Sequence, residues 1–381
     1  MNMLLTVAQR ELQREFREFV EHEVFPIADL QDKQERLDEN IVKKIADRGY
    51  LGAVIDASYG GKEWDPKISG IMHEEFGKAS TGIRSLITVH EMTAIAIQRW
   101  GSDEQKEKWL PKMAKGEVIG AFALTEPEAG SDAKSIQTSA EYAENGFVIN
   151  GSKKWITMGQ IADIFLVFAK CDDKPTAFIV EKDREGFTRE PITGMMGFRA
   201  SMGAELTFAN CRIPEENMVG RCGAGLTHVA LSCLEHGRYT VACGCVGIGQ
   251  ACLEDSIRYA CKRKQFGESL INNQLIKKMI TEMTVQVKAA RQLCYYAAVM
   301  KVQKNPDSIN ETWVAKYYAS TMLDKICSDA IQIHGANGCN QAYRVERFFR
   351  DAKMHAIIEG SSQMHELLIA TNSVMVAKRS K

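Results

Sequence analysis

The sequence predicts an α+β protein of three parts: an N-terminal α-helical domain over residues 1–118, a middle antiparallel β domain over 119–222 and a C-terminal four-helix bundle over 223–381. Three observations predict it. Helical periodicity covers roughly the first hundred residues, short β-rich runs separated by turns follow, and helical periodicity then returns in four long pieces. The order α, β, α argues against a doubly wound nucleotide fold, where strand and helix alternate throughout.

In the first part, Thr6 with Gln9 and Ser102 with Gln105 read as capping boxes, whose side chains satisfy free backbone N–H groups at helix starts. In the second, Phe147-Val148-Ile149, the run 164–168 and the run 177–180 read as strands. Asn145-Gly146 signals a hairpin because both residues tolerate positive φ. In the third, helices are expected at roughly 230–262, 274–303, 310–334 and 362–378, as an antiparallel bundle. The glycines of 244–249 have the wrong spacing for a dinucleotide fingerprint and lack a preceding strand, so they read as small residues at a close helix crossing.

Composition excludes several classes. The net charge of -1 provides no global positive field, so nucleic acid is not an expected partner and any acidic partner must meet a local patch. The 11 cysteines contain no CxxC pair and no Cys/His spacing of the zinc type, so no metal is expected and a reducing, cytoplasmic setting fits. Cys243, Cys245 and Cys252 read as small apolar packing within a helix. The N-terminal segment has no apolar core of signal-peptide length, and no apolar run is long enough for membrane insertion.

Glu359 follows Ala356-Ile357-Ile358 and precedes Gly360. An acid among apolar neighbours would have its pKa raised by burial, as a base working near neutrality requires. An exposed loop glutamate before a helix capped by Ser361 or Ser362 would give the same string. The run 124–132, LTEPEAGSD, follows a predicted strand and carries hydroxyls and backbone donors suited to the edge of a planar heterocycle; a plain turn is the other reading. Trp155-Ile156-Thr157 adds an aromatic face and a hydroxyl, though a tryptophan in a β domain also serves as core.

Taken together, LTEPEAGSD at 124–132, NGSKKWIT at 150–157, RKQFG at 263–267, QIHGANG at 332–338 and IEGSSQ at 358–363 resemble the acyl-CoA dehydrogenases, in order and over nearly the whole chain. The resemblance implies FAD as cofactor and Glu359 as the base that removes an α-proton while the flavin takes the β-hydrogen as hydride. It implies flavin contacts at Phe122, Leu124, Thr125, Gly130, Ser131, Trp155, Thr157, Ser361 and Gln363. It further implies that Arg263, Phe266 and Gln274, with Gln332, Ile333, His334, Gly335 and Ala336, hold the pyrophosphate and adenosine, typically of a neighbouring subunit, in a homotetramer or homodimer. Some relatives carry the base one residue before the arginine corresponding to Arg238; this chain has Gly237 there, which leaves Glu359. Met158 where relatives often have Asn, and Thr371 where many have Arg, depart from the pattern.

For the substrate, Arg84-Ser85 resembles the pair with which glutaryl-CoA dehydrogenases hold a distal carboxylate, although Gly77 replaces the accompanying glutamate. His90 and Glu91 add polarity, and Arg238 and Gly360 complete the expected substrate contacts. Arg84 in a surface ion pair, and His90 with Glu91 as a buried pair, are the structural alternatives. The string 84–90 also resembles dehydrogenases of polyketide extender-unit pathways, so the acyl thioester is expected on CoA or on acyl carrier protein. Lys262, Arg263 and Lys264 offer a basic surface for such a carrier. An electron-transfer flavoprotein is the expected electron acceptor. A flavin oxidase or monooxygenase on the same scaffold, or a non-catalytic carrier-binding relative, are the competing readings.

Overall fold

The structure, a computed structural model, describes residues 5–379; residues 1–4 and 380–381 of the two terminal domains lie outside it. Six helices come first: α1 (Val7–Phe19), α2 (Phe25–Gln34), α3 (Glu39–Asp47), α4 (Pro66–Gly77), α5 (Thr81–Trp100) and α6 (Asp103–Ala114). Both expected capping boxes form, with Thr6 and Ser102 each accepting from the backbone of the glutamine three residues on. Helix α5 is buried along most of its length, so its polar residues face protein rather than water.

The strands are β1 (Gly120–Ala123), β2 (Ser139–Ala143), β3 (Gly146–Ile156), β4 (Ile164–Cys171), β5 (Lys174–Glu181), β6 (Phe187–Pro191), β7 (Ala204–Pro214) and β8 (Met218–Val219). They form one sheet in the order β6-β7-β3-β2-β4-β5-β8, with β1 beside β4. The hairpin at Asn145-Gly146 joins β2 to β3. The expected antiparallel pairing holds for most of the sheet but not all: β1 runs parallel to β4, with Ala121 opposite Phe165 and Phe122 opposite Leu166, and β2 meets β4 in parallel at Ser139 and Lys170. The reason is connectivity, since the long 124–132 loop intervenes between β1 and the rest of the sheet and relaxes the hairpin constraint.

After Val219 the chain is helical again: α7 (Leu231–Lys262), then a tip hairpin of β9 (Lys264–Gln265) and β10 (Glu268–Ser269), then α8 (Gln274–Val302), α9 (Ser308–His334), α10 (Val345–His355) and α11 (Ser362–Arg379). The four long helices fall where expected. Helix α10 was not expected, because the apolar stripe of Val345, Phe348 and Ala352 is interrupted by Glu346, Arg347, Arg350 and Asp351; tertiary burial of Phe348, Arg347 and Asp351 decides it.

One apolar cluster joins α1–α5 to the sheet, a second fills the C-terminal bundle, and a third lies between α5, α6, β4, β5 and the start of α7. The glycines of 244–249 do make a close crossing. A Cβ on Gly77 would lie 2.5 Å from the Gly244 carbonyl oxygen, and one on Gly247 would lie 2.0 Å from that of Glu74, so α4 and α7 touch backbone to backbone. That contact leaves no space for a side chain at 77 and seats Arg84 against Gly244, where a Cβ would meet its Cδ at 2.4 Å. Cys243, Cys245 and Cys252 are buried in this packing.

Candidate active site

Glu359 sits in the turn between α10 and α11, in the left-handed region at φ 56, and Gly360 follows at φ 92. Two consecutive residues of this kind reverse the chain sharply, and the non-glycine member carries strain that its surroundings must hold. Three side chains do so. Arg238 on α7 donates through Nε to the Glu359 carbonyl (2.9 Å), and Lys316 on α9 donates to the Gly360 carbonyl (2.7 Å). Ser361 caps α11 by accepting from the Met364 N–H (3.3 Å).

The turn aims the Glu359 carboxylate at α7. A Cβ on Gly237 would lie 2.7 Å from Oε2, 2.8 Å from Cδ and 2.9 Å from Oε1, so the acid fills the space that a side chain at 237 would take. The residue as a whole is partly exposed, but Oε2 is buried and has no hydrogen-bond partner. Burial pushes its pKa up to about 7, against the opposing pull of Arg238, Lys316 and Arg84. Burial in turn pulls Lys316 down to about 8. A carboxyl that can hold or release a proton near neutrality is the arrangement a general base needs.

Arg84 is fully buried on α5, which overturns the surface ion-pair alternative. Its two terminal nitrogens donate to Thr88 Oγ1 (2.9 Å) and Ser85 Oγ (3.1 Å), Thr88 pairs with Thr240 of α7 (3.2 Å), and Nε has no partner. Among the described residues no carboxylate pairs with this guanidinium. His355, at the end of α10, is also buried with neither ring nitrogen partnered, held well below its ordinary pKa by burial and then by Arg84 and Lys316. His90 and Glu91 are both buried but not paired with each other. His90 Nε2 engages the Met113 carbonyl (3.1 Å) and Nδ1 accepts from the Gly120 N–H (3.2 Å), so its ring ties α6 to β1. The expected substrate contact at His90 is therefore corrected: backbone already takes both nitrogens. Arg238 likewise spends its Nε on the base's own carbonyl.

The segments expected at the flavin meet in the sheet. Lys153 of β3 is buried and donates to Glu126 Oε1 (2.7 Å) and to the Leu124 carbonyl (3.1 Å), while the Lys154 N–H donates to the Thr125 carbonyl (2.9 Å). This buried pair locks the 124–132 loop onto β3. Trp155 lies beside it in the left-handed region at φ 62 with 52% of its surface exposed, which excludes the core reading; Thr125 and Thr157 are half-buried, Phe122 packs on Phe168, and Gly130 and Ser131 are exposed. An aromatic face presented by a strained irregularity of β3, between hydroxyls, fits a planar ring and its polar edge, so these residues suit an isoalloxazine. Met158 is also left-handed, at φ 59, a conformation asparagine adopts more readily, and its N–H donates to the Ser201 carbonyl (2.8 Å). Continuity with Glu359 runs through the turn at Phe198–Ser201: Gly82 packs on Ala200, and the Phe198 ring lies 4.8 Å from that of His355.

The remaining expected contacts lie elsewhere. Arg263, Phe266 and Gln274 are exposed at the far end of α7 and the start of α8, and Phe266 is a bare tip residue at φ 51. At the end of α9, Ile333 and His334 are buried, with His334 stacked 4.3 Å from Tyr259, and Gln332, Gly335 and Ala336 are exposed. Arg263 and His334 line one cavity of about 550 Å³. It is remote from Glu359, because Arg263 lies 26 positions beyond Gly237 along and just past α7, about 39 Å at 1.5 Å per residue. Gln363 is exposed on α11, and Thr371 bonds back to the Leu367 carbonyl (2.7 Å).

Sequence reasoning missed Lys316 and His355. The signal for Lys316 was present as a lysine among Thr312, Ala315, Ala319 and Ser320 on a helix face that turns inward; His355 had none beyond its nearness to Glu359.

Comparison with known proteins agrees with this fold. Three family models match in succession: the acyl-CoA dehydrogenase N-terminal domain at residues 6–117, the middle domain at 121–211 and the C-terminal domain at 223–374. The chain is 37% identical to a short-chain specific acyl-CoA dehydrogenase of Clostridium acetobutylicum over 97% of its own length and 99% of the relative's. Butyryl-CoA dehydrogenase from Megasphaera elsdenii superposes with a TM-score of 0.94 at 33% identity, covering 98% of this chain and 100% of that one. A prolyl acyl carrier protein oxidase superposes at 0.91 with 31% identity, covering 96% and 99%. The chain belongs to the acyl-CoA dehydrogenase family, flavoprotein oxidoreductases of the CH–CH bond of acyl thioesters that use FAD. Among the described residues no helix is long and apolar enough to cross a membrane.

Proposed function

We propose that this chain dehydrogenates a short, polar acyl thioester between Cα and Cβ, with Glu359 as the base. The observation that carries the reading is the buried, unpartnered Oε2 of Glu359, held near neutral pKa in the space above Gly237. Bound FAD supplies the acceptor for the β-hydrogen. The chain's own groups do the rest. Glu359 takes the α-proton, and its backbone N–H, which has no acceptor among the described residues, is available to the thioester oxygen where enolate charge develops. Arg238 and Lys316 hold the turn so that the acid keeps its aim. The Lys153–Glu126 pair keeps the 124–132 loop in place against Trp155 and Thr157.

Arg84 supports the polar acyl group. A fully buried guanidinium with no carboxylate in direct contact is costly, and a substrate carboxylate or similar anion would relieve it. The likeness to a prolyl acyl carrier protein oxidase keeps carrier-bound substrates in view beside CoA esters, with Lys262, Arg263 and Lys264 exposed at one end of α7 as the basic surface. The separation of Gly237 from Arg263 supports a site completed by a neighbouring subunit. The test is flavin bleaching by glutaryl, hydroxyacyl, aminoacyl and butyryl thioesters on CoA and on carrier protein, read by mass spectrometry of the products. A preference for the uncharged butyryl thioester over every polar one would sink the substrate assignment. Rapid reoxidation of the reduced protein by air favours an oxidase; persistence until an electron-transfer flavoprotein is added favours the dehydrogenase.

A further inference from the structure

Beside Gly237, three side chains from three helices converge in the protein interior: His73 of α4, Glu91 of α5 and His236 of α7. His73 Nε2 lies 2.8 Å and His236 Nε2 2.7 Å from the same carboxylate oxygen, Oε2 of Glu91. The side chains of His73 and Glu91 are completely buried and that of His236 is 15% exposed. The imidazole planes stand at 75° to each other, so the two nitrogens approach that oxygen from different sides. Hydrogen bonding alone leaves this cluster incomplete. Both imidazoles bond to one oxygen while the other, Oε1, is buried with no partner, and His73 Nδ1 is buried with none either.

We propose that His73, Glu91 and His236 form a binding site for a divalent first-row transition metal of the Zn²⁺ or Fe²⁺ kind. Two imidazoles and one carboxylate are the donor set such ions take when a position is left open to water or a second carboxylate oxygen. The ligand atoms all lie within 4.8 Å of one another. Zn–N bonds of about 2.0–2.1 Å place tetrahedral ligand atoms about 3.3 Å apart, so binding spreads each hydrogen-bonded pair by roughly half an ångström. Rotation of side-chain torsions supplies that without moving a helix. The carboxylate's free Oε1 then has a partner, since it turns onto the metal. Proton balance is simple: each Nε2–H gives way to the metal, its proton passing to Nδ1 of the same ring or to solvent. The site joins α4, α5 and α7 one residue from Gly237, so it braces the wall against which Glu359 rests.

The test uses the intact holoenzyme and reads metal rather than turnover, so it stands apart from the question of substrate. Wild-type protein incubated with equimolar Zn²⁺ or Fe²⁺, then desalted, should hold about one metal per chain by plasma mass spectrometry. Glu91→Gln and His236→Asn should each lower that at least tenfold with the FAD-to-protein ratio unchanged. Equal metal in wild type and Glu91→Gln would overturn the proposal. Should the variants fail to fold, anomalous diffraction at the zinc edge from wild-type crystals decides: a peak within bonding distance of all three ligand atoms supports the site, and its absence at full Zn²⁺ loading leaves a hydrogen-bonded cluster only.

Discussion

The carboxylate of Glu359 and the backbone of Gly237 occupy one shared space, such that a methyl group at 237 would lie 2.7 Å from Oε2. The base and its floor are 122 residues apart in sequence, yet position 237 cannot gain a side chain without displacing the acid. Gly237→Ala should therefore lower kcat by about tenfold or more while leaving stability unchanged or raised, because alanine is favoured over glycine inside a helix by roughly 0.5–1 kcal/mol. Steady-state kinetics beside thermal melts check it; an unchanged kcat means the acid is free to move aside without cost.

The double exchange Gly237→Glu with Glu359→Gly moves the acid to the other side of the same space. Partial recovery of flavin bleaching relative to Glu359→Gly alone is the expected outcome, measured by anaerobic titration with substrate.

Glu359→Gln should keep the yellow colour and lose the base. A general base contributes about 10²–10⁴-fold to rate, and bleaching by substrate should slow by that order. Equal bleaching in the variant would remove Glu359 from the mechanism.

The pH dependence follows from the same carboxyl. As the base must be ionised, kcat/KM should rise with pH through about 7, the value at which burial holds Glu359. Stability runs the other way. The folded-state pKa lies above the unfolded one, so between the ordinary carboxylate range and about pH 7 the native state binds more protons, and this group's contribution falls as pH rises through that window. Glu359→Gln lacks the titration, so its stability relative to wild type should increase from pH 5 to pH 8 in urea melts. A flat difference would place the pKa outside that window.

Lys153 and Glu126 form a buried pair under the 124–132 loop. Lys153→Ala strands the carboxylate, at a cost of about 3–5 kcal/mol, and should loosen the loop that carries Thr125 and Ser131. A lower Tm together with a lower flavin-to-protein absorbance ratio is expected; a drop in Tm with full flavin retention would separate the pair from cofactor holding.

Arg84→Met should lower bleaching by a carboxylated or polar acyl thioester about 100-fold relative to the uncharged butyryl thioester. No change in that ratio would detach Arg84 from substrate choice.

The sequence by itself determined the α, β, α order, the ends of the four long C-terminal helices, both capping boxes and the β2–β3 hairpin, because periodicity, caps and turn residues act within a few positions of one another. It also singled out Glu359, through short motifs. Only the tertiary structure decided the environment of that acid: the floor at Gly237, the clamps at Arg238 and Lys316, Arg84 with no carboxylate in direct contact, the structural use of His90, and the meeting of His73, Glu91 and His236. Desolvation and convergence depend on which helix faces meet, and residues from α4, α5, α7, α9 and the 356–360 turn leave no common spacing along the chain.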